Sequence, residues 1–346
     1  MGYRTIVVGT DGSPTAYRAQ HKAVRFAKLV GARVVITCAH GPTGFDPHTA
    51  AETVARARES AEQHGVVATT VIRRGEAGTA LADVAKQEAA DLIVVGDVGM
   101  GNAHRLRLGG AAEQAAHEAP CDVLIARTRH PGKKTRGAGL YNGIVVGTDG
   151  SPTASEALRK AFDLGMMLET GVTVVYVAGD PLVGAIVLER AEATKPDWVP
   201  VHTQLVEGPP VAKLQEVART QGCNLIVVGN KGVTGPRRFL LSAVPIELSH
   251  RAAQDVLIAK TVGLTYKDIP PGHGGVVMAD GDKVAVFVDE SGGVHALSAR
   301  CQHMGCTVDW NSVDETWDCP CHGSRYRRDG EVIQGPATRA LPRHPI

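Results

Sequence analysis

Aromatic residues are scarce, at 4% of 346 residues, which weakens any reading built on stacking of nucleic-acid bases. Charge of one sign does not dominate. Lys+Arg number 37 against 36 for Asp+Glu, a net charge of +1, and this excludes a basic nucleic-acid footprint over the whole chain as well as an acidic tail. No apolar run approaches the ~20 residues of a membrane span. No charged-then-apolar leader follows Met1, and Ile6 stands where a myristoylation signal needs a hydroxyl residue. The expectation is a cytoplasmic protein with no membrane span and no nucleic-acid partner. No nucleophile–histidine–acid arrangement stands out, so no catalytic residue is assigned and the chain leans away from being an enzyme.

What is present supports ordinary folded domains. Hydrophobic residues make up 43% of the chain, which excludes wholesale disorder, and 40 glycines suit a chain rich in tight turns. The length corresponds to two or three domains. The seven cysteines are placed unevenly. Cys38, Cys121 and Cys223 are scattered, whereas Cys301, Cys306, Cys319 and Cys321 crowd together near the end. In a cytosolic chain such a cluster reads as a metal site before a disulfide framework.

The chain contains an internal repeat. The segment Thr10-Asp11-Gly12-Ser13-Pro14-Thr15-Ala16 returns unchanged at 148–154, Ile93-Val94-Val95-Gly96 at 226–229, and Val123-Leu124-Ile125-Ala126 at 256–259. At this period the repeat is a duplicated domain, not a solenoid. In the first copy, β-branched apolar runs near 4–9, 33–38, 66–72, 91–96 and 122–127 predict strands buried on both faces. Between them lie amphipathic stretches, the first with Ala16, Ala19, Ala23, Phe26 and Val30 on one stripe. Ser13 suits its N-cap and Pro14 its first helical position, and Ser151 and Pro152 repeat the device. The alternation predicts an α/β architecture: two doubly wound, parallel-sheet, Rossmann-like domains with right-handed crossovers. Ligands of such sheets bind outside the carboxyl ends of the strands. Residues 131–140 read as a linker, and from 263 short alternating runs such as Lys283–Val288 between Gly-rich turns predict a small all-β domain. The expected domains are 1–130, 141–262 and 263–346.

At the strand ends of the first copy, Gly96-x2-Gly99 is followed by nine residues and then Gly109-Gly110 before a helix. Amides of such a loop can converge on phosphate, helped by the helix N-terminus. Asp11 would lie at the same edge, near a bound ribose or metal, and Asp149 repeats it. The alternative is that these glycines merely form tight turns requiring positive φ. This combination resembles the universal stress protein family over roughly 1–130 and 141–262. The resemblance implies ATP, with Mg²⁺, at a Gly-x2-Gly-x9-Gly-Ser/Thr loop. The first copy keeps Gly96, Gly99 and Gly109 but has Gly110 at the hydroxyl position. The second has Gly229 and Gly232, then Ser242 for the third glycine and Ala243 for the hydroxyl, which favours the first copy as the nucleotide site. Arg105, Arg107, Lys231, Arg237 and Arg238 could screen phosphate or simply form a solvated face. The resemblance also implies pairing through the last strands, 123–126 against 256–259, an intrachain pseudo-dimer that buries both sheet edges. A homo-oligomer is left open.

The sharpest motif is Cys301-x-His303 with Cys306, followed by Cys319-x-x-His322 with Cys321. Each half mixes one thiolate with one imidazole, where zinc fingers usually group their cysteines and their histidines. A zinc site and a free Cys306/Cys321 thiol pair remain the alternatives. The segment strongly resembles the Rieske [2Fe–2S] domain. That resemblance implies Cys301 and Cys319 on one iron, His303 and His322 on the other, and a raised reduction potential. It implies a disulfide between Cys306 and Cys321 of the respiratory, high-potential subtype. It also implies hydroxyl donors to cluster sulfur at Ser324 and Tyr326 and a covering loop at Gly335-Pro336. Trp310 and Trp317 are expected in the core.

The function expected is a soluble electron carrier or electron-transfer subunit. Its redox partner would be of respiratory, hydrogenase or dehydrogenase type, and the duplicated domains would serve docking or nucleotide-linked control. The alternatives are a redox- and nucleotide-sensing stress regulator and a ferredoxin-like oxygenase component, the latter disfavoured by Cys306 and Cys321.

Overall fold

The computed structural model describes residues 3–41, 45–98, 109–128, 139–178, 181–230, 243–260, 266–279, 282–312, 314–319 and 321–345. The chain divides into two compact units, an α/β unit made of Met1–Thr148, Glu156–Asn230 and Leu241–Lys260, and a second unit whose main part is the small β unit of Thr261–Ile346.

In the α/β unit the first copy runs β1 (Thr5–Gly9), α1 (Pro14–Val30), β2 (Arg33–His40), α2 (Pro47–Gln63), β3 (Ala68–Arg74), α3 (Ala77–Gln87), β4 (Leu92–Gly96), α4 (Gly110–Glu118) and β5 (Asp122–Ala126). The second runs β6 (Ile144–Thr148), α5 (Pro152–Met167), β7 (Val172–Ala178), α6 (Pro181–Ala193), β8 (Val201–Glu207), α7 (Pro210–Thr220), β9 (Leu225–Gly229), α8 (Ala243–Arg251) and β10 (Asp255–Ala259). All ten strands form one sheet in the order β3-β2-β1-β4-β5-β10-β9-β6-β7-β8. Neighbours within a copy are parallel, and β5 meets β10 antiparallel with Leu124 opposite Leu257. The last strands therefore pair inside one chain, so neither is left as an exposed edge.

Local chemistry sets these elements. Ser13 is extended at φ −71°, ψ 158°, and its Oγ accepts from the Ala16 amide at 3.1 Å, with Pro14 following at the helix start. Gly31 ends α1 in the left-handed conformation at φ 70°. The stripe Ala16, Ala19, Ala23 and Phe26 is buried, with Val30 partly so. Strand alternation sends Ile6, Val8, Val34 and Ile36 into a core shared with α1 and α2, and Val7, Val35, Ile93 and Val95 into a core with Leu81 and Val84 of α3 and Ala112 and Ala115 of α4. Each Val, Leu or Ile side chain so buried contributes about 1.5–3 kcal/mol.

The small unit holds two antiparallel sheets. The first is β11 (His273–Ala279), β12 (Asp282–Val288) and β13 (Val294–Ser298). The second is β14 (Asp309–Asn311), β15 (Thr316–Asp318), β16 (Arg325–Tyr326) and β17 (Val332–Gln334). Its core gathers Phe287, Leu297, Trp310, Trp317, Tyr326 and Leu341. Trp310 and Trp317 are cross-strand partners with ring centroids 4.9 Å apart, a core pair as expected.

Candidate metal centre

Two loops of the small unit fold alike. In the first, the Cys301 amide donates to the Cys306 carbonyl at 2.8 Å and the Gly305 amide to the Cys301 carbonyl at 2.9 Å. In the second, the Cys319 amide donates to the Ser324 carbonyl at 2.7 Å and the Gly323 amide to the Cys319 carbonyl at 3.1 Å. Each loop turns back at a left-handed glycine, Gly305 at φ 74° and Gly323 at φ 76°. These turns place a cysteine at each loop base and a histidine at each tip.

Cys301 and Cys319 are buried, while His303 and His322 are exposed. The two imidazole rings meet edge to face, with centroids 4.9 Å apart. Cys306 and Cys321 are joined in a disulfide with Cα atoms 6.5 Å apart, which ties loop to loop. The fully buried Tyr326 hydroxyl accepts from the Gln302 amide at 3.0 Å and lies 3.0 Å from Cys301 Sγ. Because that oxygen accepts from an amide, its own proton is available to the sulfur. Ser324 is fully buried, and its Oγ accepts from the Ala337 amide at 3.0 Å, fastening the Gly335-Pro336-Ala337 segment beside the site. Burial works to raise the Cys301 thiol, but the Tyr326 hydroxyl and the His303 amide hold it below its ordinary value. Burial pushes the Cys319 thiol up.

The donor set fits a [2Fe–2S] group. Two free buried thiols lie at the base, two imidazoles at the tip, and hydroxyl and amide donors surround the sulfur. Cys306 and Cys321, being joined, offer no thiolate to a metal.

At the strand ends of the α/β unit, Asp11 Oδ1 accepts from the Ser13 amide and Asp149 Oδ1 from the Ser151 amide, both at 3.0 Å. Each carboxylate thereby shapes the turn into its helix. Gly96 and Gly229 end β4 and β9. Gly109 is the N-cap of α4 with φ −69° and no side-chain cap, and Gly110 begins the helix. The tight-turn explanation therefore does not hold for Gly109, whose φ any residue adopts. Gly99, Gly232 and Ser242, with Arg105, Arg107, Lys231, Arg237 and Arg238, lie outside the described residues.

A second polar cluster crosses the β5–β10 seam. Asp122, 2% exposed, accepts from the Tyr3 hydroxyl at 2.7 Å, the Lys260 amide at 2.8 Å and the Lys160 ammonium at 2.5 Å. Asp255, 3% exposed, mirrors it with Tyr141 at 3.0 Å, the Arg127 amide at 2.8 Å and Lys22 at 2.5 Å. Each carboxylate takes its tyrosine from its own copy and its lysine from the other. Arg127 also donates to the Leu248 carbonyl of α8 at 2.7 Å, while Lys260 lies 3.4 Å from the His117 carbonyl of α4, both cations at helix C-termini across the seam.

The family model described as the universal stress protein family matches residues 2–127 and 182–260, more than half of the chain. The chain belongs to the universal stress protein family. A second model, the Rieske [2Fe-2S] domain, matches residues 261–345. A Bacillus subtilis protein, YhfW, whose name assigns it a Rieske 2Fe-2S iron-sulfur centre, is 47% identical over 76 residues, 22% of this chain and 15% of that protein. The cytochrome b6-f complex iron-sulfur subunit of Chlorobaculum tepidum is 39% identical over 79 residues, 23% of this chain and 43% of the subunit. The chain thus spans less than half the length of either curated relative. A universal stress protein structure from Archaeoglobus fulgidus aligns with TM-score 0.59 at 18% identity, covering 74% of this chain and 96% of that one, which shows the shared fold.

This universal stress protein therefore carries its duplicated α/β domains and a C-terminal Rieske domain in one chain. No helix among the described residues is long and apolar enough to cross a membrane. The seam cluster escaped sequence reasoning, although Tyr3/Tyr141, Lys22/Lys160 and Asp122/Asp255 all recur at equivalent repeat positions. That recurrence was the available signal.

Proposed function

We propose that this chain is a one-electron carrier whose Rieske domain holds a [2Fe–2S] cluster, with Cys301 and Cys319 on one iron and His303 and His322 on the other. The observation carrying this reading is the convergence of two buried thiols and two exposed imidazoles on paired loops, joined by the Cys306–Cys321 disulfide. When bound, the cluster supplies a one-electron couple whose potential imidazole ligation raises. Tyr326 and Ser324 hold donor protons at the thiolate side and favour the more negative, reduced state. His303 and His322 present their exposed ring edges towards a partner. The uncharged Met304 next to His303 in sequence, 69% exposed, suits an apolar contact.

The partner class that fits is a respiratory, hydrogenase or dehydrogenase redox protein. A ferredoxin-like oxygenase component fits less well, because the disulfide belongs to the high-potential pattern. The domain division proposed is 1–130, 141–262 and 263–346, with 131–140 as linker. The universal stress copies would dock the carrier, with ATP at the first copy. The N-terminus of α4 supports this nucleotide role: it has no side-chain cap, and although the Gly109 amide donates to the Asp97 carbonyl at 2.9 Å, Gly110 at the first helical position is exposed. Substituting His303 or His322 by alanine is expected to abolish the native visible and EPR spectra while the far-UV signal is kept. A spectrum unchanged by both substitutions would overturn the assignment.

A further inference from the structure

The sulfurs of Cys306, Cys319 and Cys321 all lie within 4.8 Å of one another. Two of them form the disulfide, and the third is a free cysteine. A thiolate this close to a disulfide is placed for exchange, which requires access to one sulfur and a leaving thiolate that water can stabilise. A sulfur bound to iron is withheld from that reaction, so the cluster and the exchange compete for Cys319.

We propose that Cys319 is a resident nucleophile for the Cys306–Cys321 disulfide, held in check by metal ligation and released when iron is lost. The Cys319 thiolate attacks Cys306 Sγ. The Cys306–Cys319 bond forms, the Cys306–Cys321 bond breaks, and Cys321 leaves as a thiolate. Cys319 is oxidised to the disulfide level and Cys321 is reduced by the same electron pair, so no external oxidant is consumed. The proton that Cys319 loses ends on Cys321.

Two observations select this direction. Cys321 is exposed and Cys306 half-buried, so the expelled charge is better solvated on Cys321. Attack on Cys321 would instead close a small ring across the single residue Pro320, a strained product. The outcome is a domain that, without its cluster, loses a ligand and displays a new surface thiol. Reloading would then need a dithiol reductant. This inference rests on the cluster reading above.

The test uses the full chain. Iron content and the visible spectrum of the purified protein are recorded first, so that failure of the cluster reading is seen separately. Iron is then stripped anaerobically with a chelator in mildly alkaline buffer. Free thiols are blocked with iodoacetamide, and the disulfides are mapped by non-reducing peptide mass spectrometry. The expected result is a Cys306–Cys319 linkage with Cys321 alkylated, against an iron-loaded control that keeps Cys306–Cys321 and shows no alkylated Cys321. The Cys319→Ser chain, stripped in the same way, is expected to keep Cys306–Cys321. Retention of Cys306–Cys321 in the stripped parent, with Cys301 and Cys319 alkylated, would overturn the proposal. So would loss of that disulfide in Cys319→Ser.

Discussion

The Lys160 ammonium lies 2.5 Å from Asp122 Oδ1, although the two residues stand in different copies of the repeat. Lys22 and Asp255 form the mirror pair at the same distance. Each pair closes the β5–β10 seam from the side of the other copy's first helix. Asp122 is buried, so removing its lysine leaves a carboxylate without a counter-charge. Lys160→Ala is expected to cost about 3 kcal/mol, read from urea unfolding of the α/β unit's signal. The paired change Lys160→Met with Asp122→Asn should cost less than Lys160→Ala alone, because it leaves no orphaned charge and keeps an acceptor for the Lys260 amide. Equal losses for both would show that the pair is not what the seam depends on.

The Tyr326 hydroxyl lies 3.0 Å from Cys301 Sγ, as a donor to it beside the His303 amide. Tyr326→Phe keeps the buried ring and removes that bond. The midpoint potential is expected to fall on the order of tens of millivolts, the equivalent of one hydrogen bond to a charged group. Protein-film voltammetry reads it directly. An unchanged midpoint would remove Tyr326 from the account of the potential.

Asp289, in the turn between β12 and β13, accepts from the Ser291 hydroxyl at 2.6 Å, the His295 ring at 2.8 Å and the Gly293 amide at 2.8 Å. The Ser291 hydroxyl first, and then the His295 ring and the Gly293 amide, hold its carboxyl well below the usual range. A carboxylate whose folded value is depressed stabilises the fold above its unfolded value and loses that contribution as pH falls towards the folded one. Carboxyl NMR of Asp289 should therefore show no titration through the ordinary carboxylate range. Asp289→Asn should make the small unit's stability less dependent on pH over that interval.

For the nucleotide reading, Gly110→Val should weaken ATP binding to the full chain at least tenfold by isothermal calorimetry while leaving the fold intact, since Gly110 is exposed and a Cβ there meets nothing within 4 Å. Unchanged affinity would place ATP elsewhere or nowhere. Comparing affinities of oxidised and reduced protein separates simple docking from redox-linked sensing, because coupling between the two sites must be reciprocal.

Much of this molecule was readable along the chain. Ser13 and Ser151 cap their helices as their turn residues suggested, and the apolar runs became strands of one covered sheet. The Cys/His pattern pointed to the two paired loops of the candidate metal centre, because those loops are local and closed by backbone bonds within six residues of sequence. The seam was less legible. Lys22 carries no local sign that its partner is Asp255, since only the antiparallel meeting of β5 and β10 brings them together. The likeness of the two cluster loops was also hidden, because Gly305 and Gly323 share a left-handed backbone while their flanking residues differ. Burial of Ser324 under the Ala337 amide likewise depends on a segment arriving from later in the chain.

The proposed carrier role requires that this universal stress protein hold a redox-active Rieske cluster. An EPR-monitored redox titration of anaerobically purified full-length protein tests it most directly. A Rieske-type signal that appears on reduction is expected, with a midpoint in the upper part of the family's range of about −150 to +300 mV. A protein that holds iron but shows no such signal would overturn the carrier role, and a signal titrating at the low end of that range would overturn its high-potential subtype.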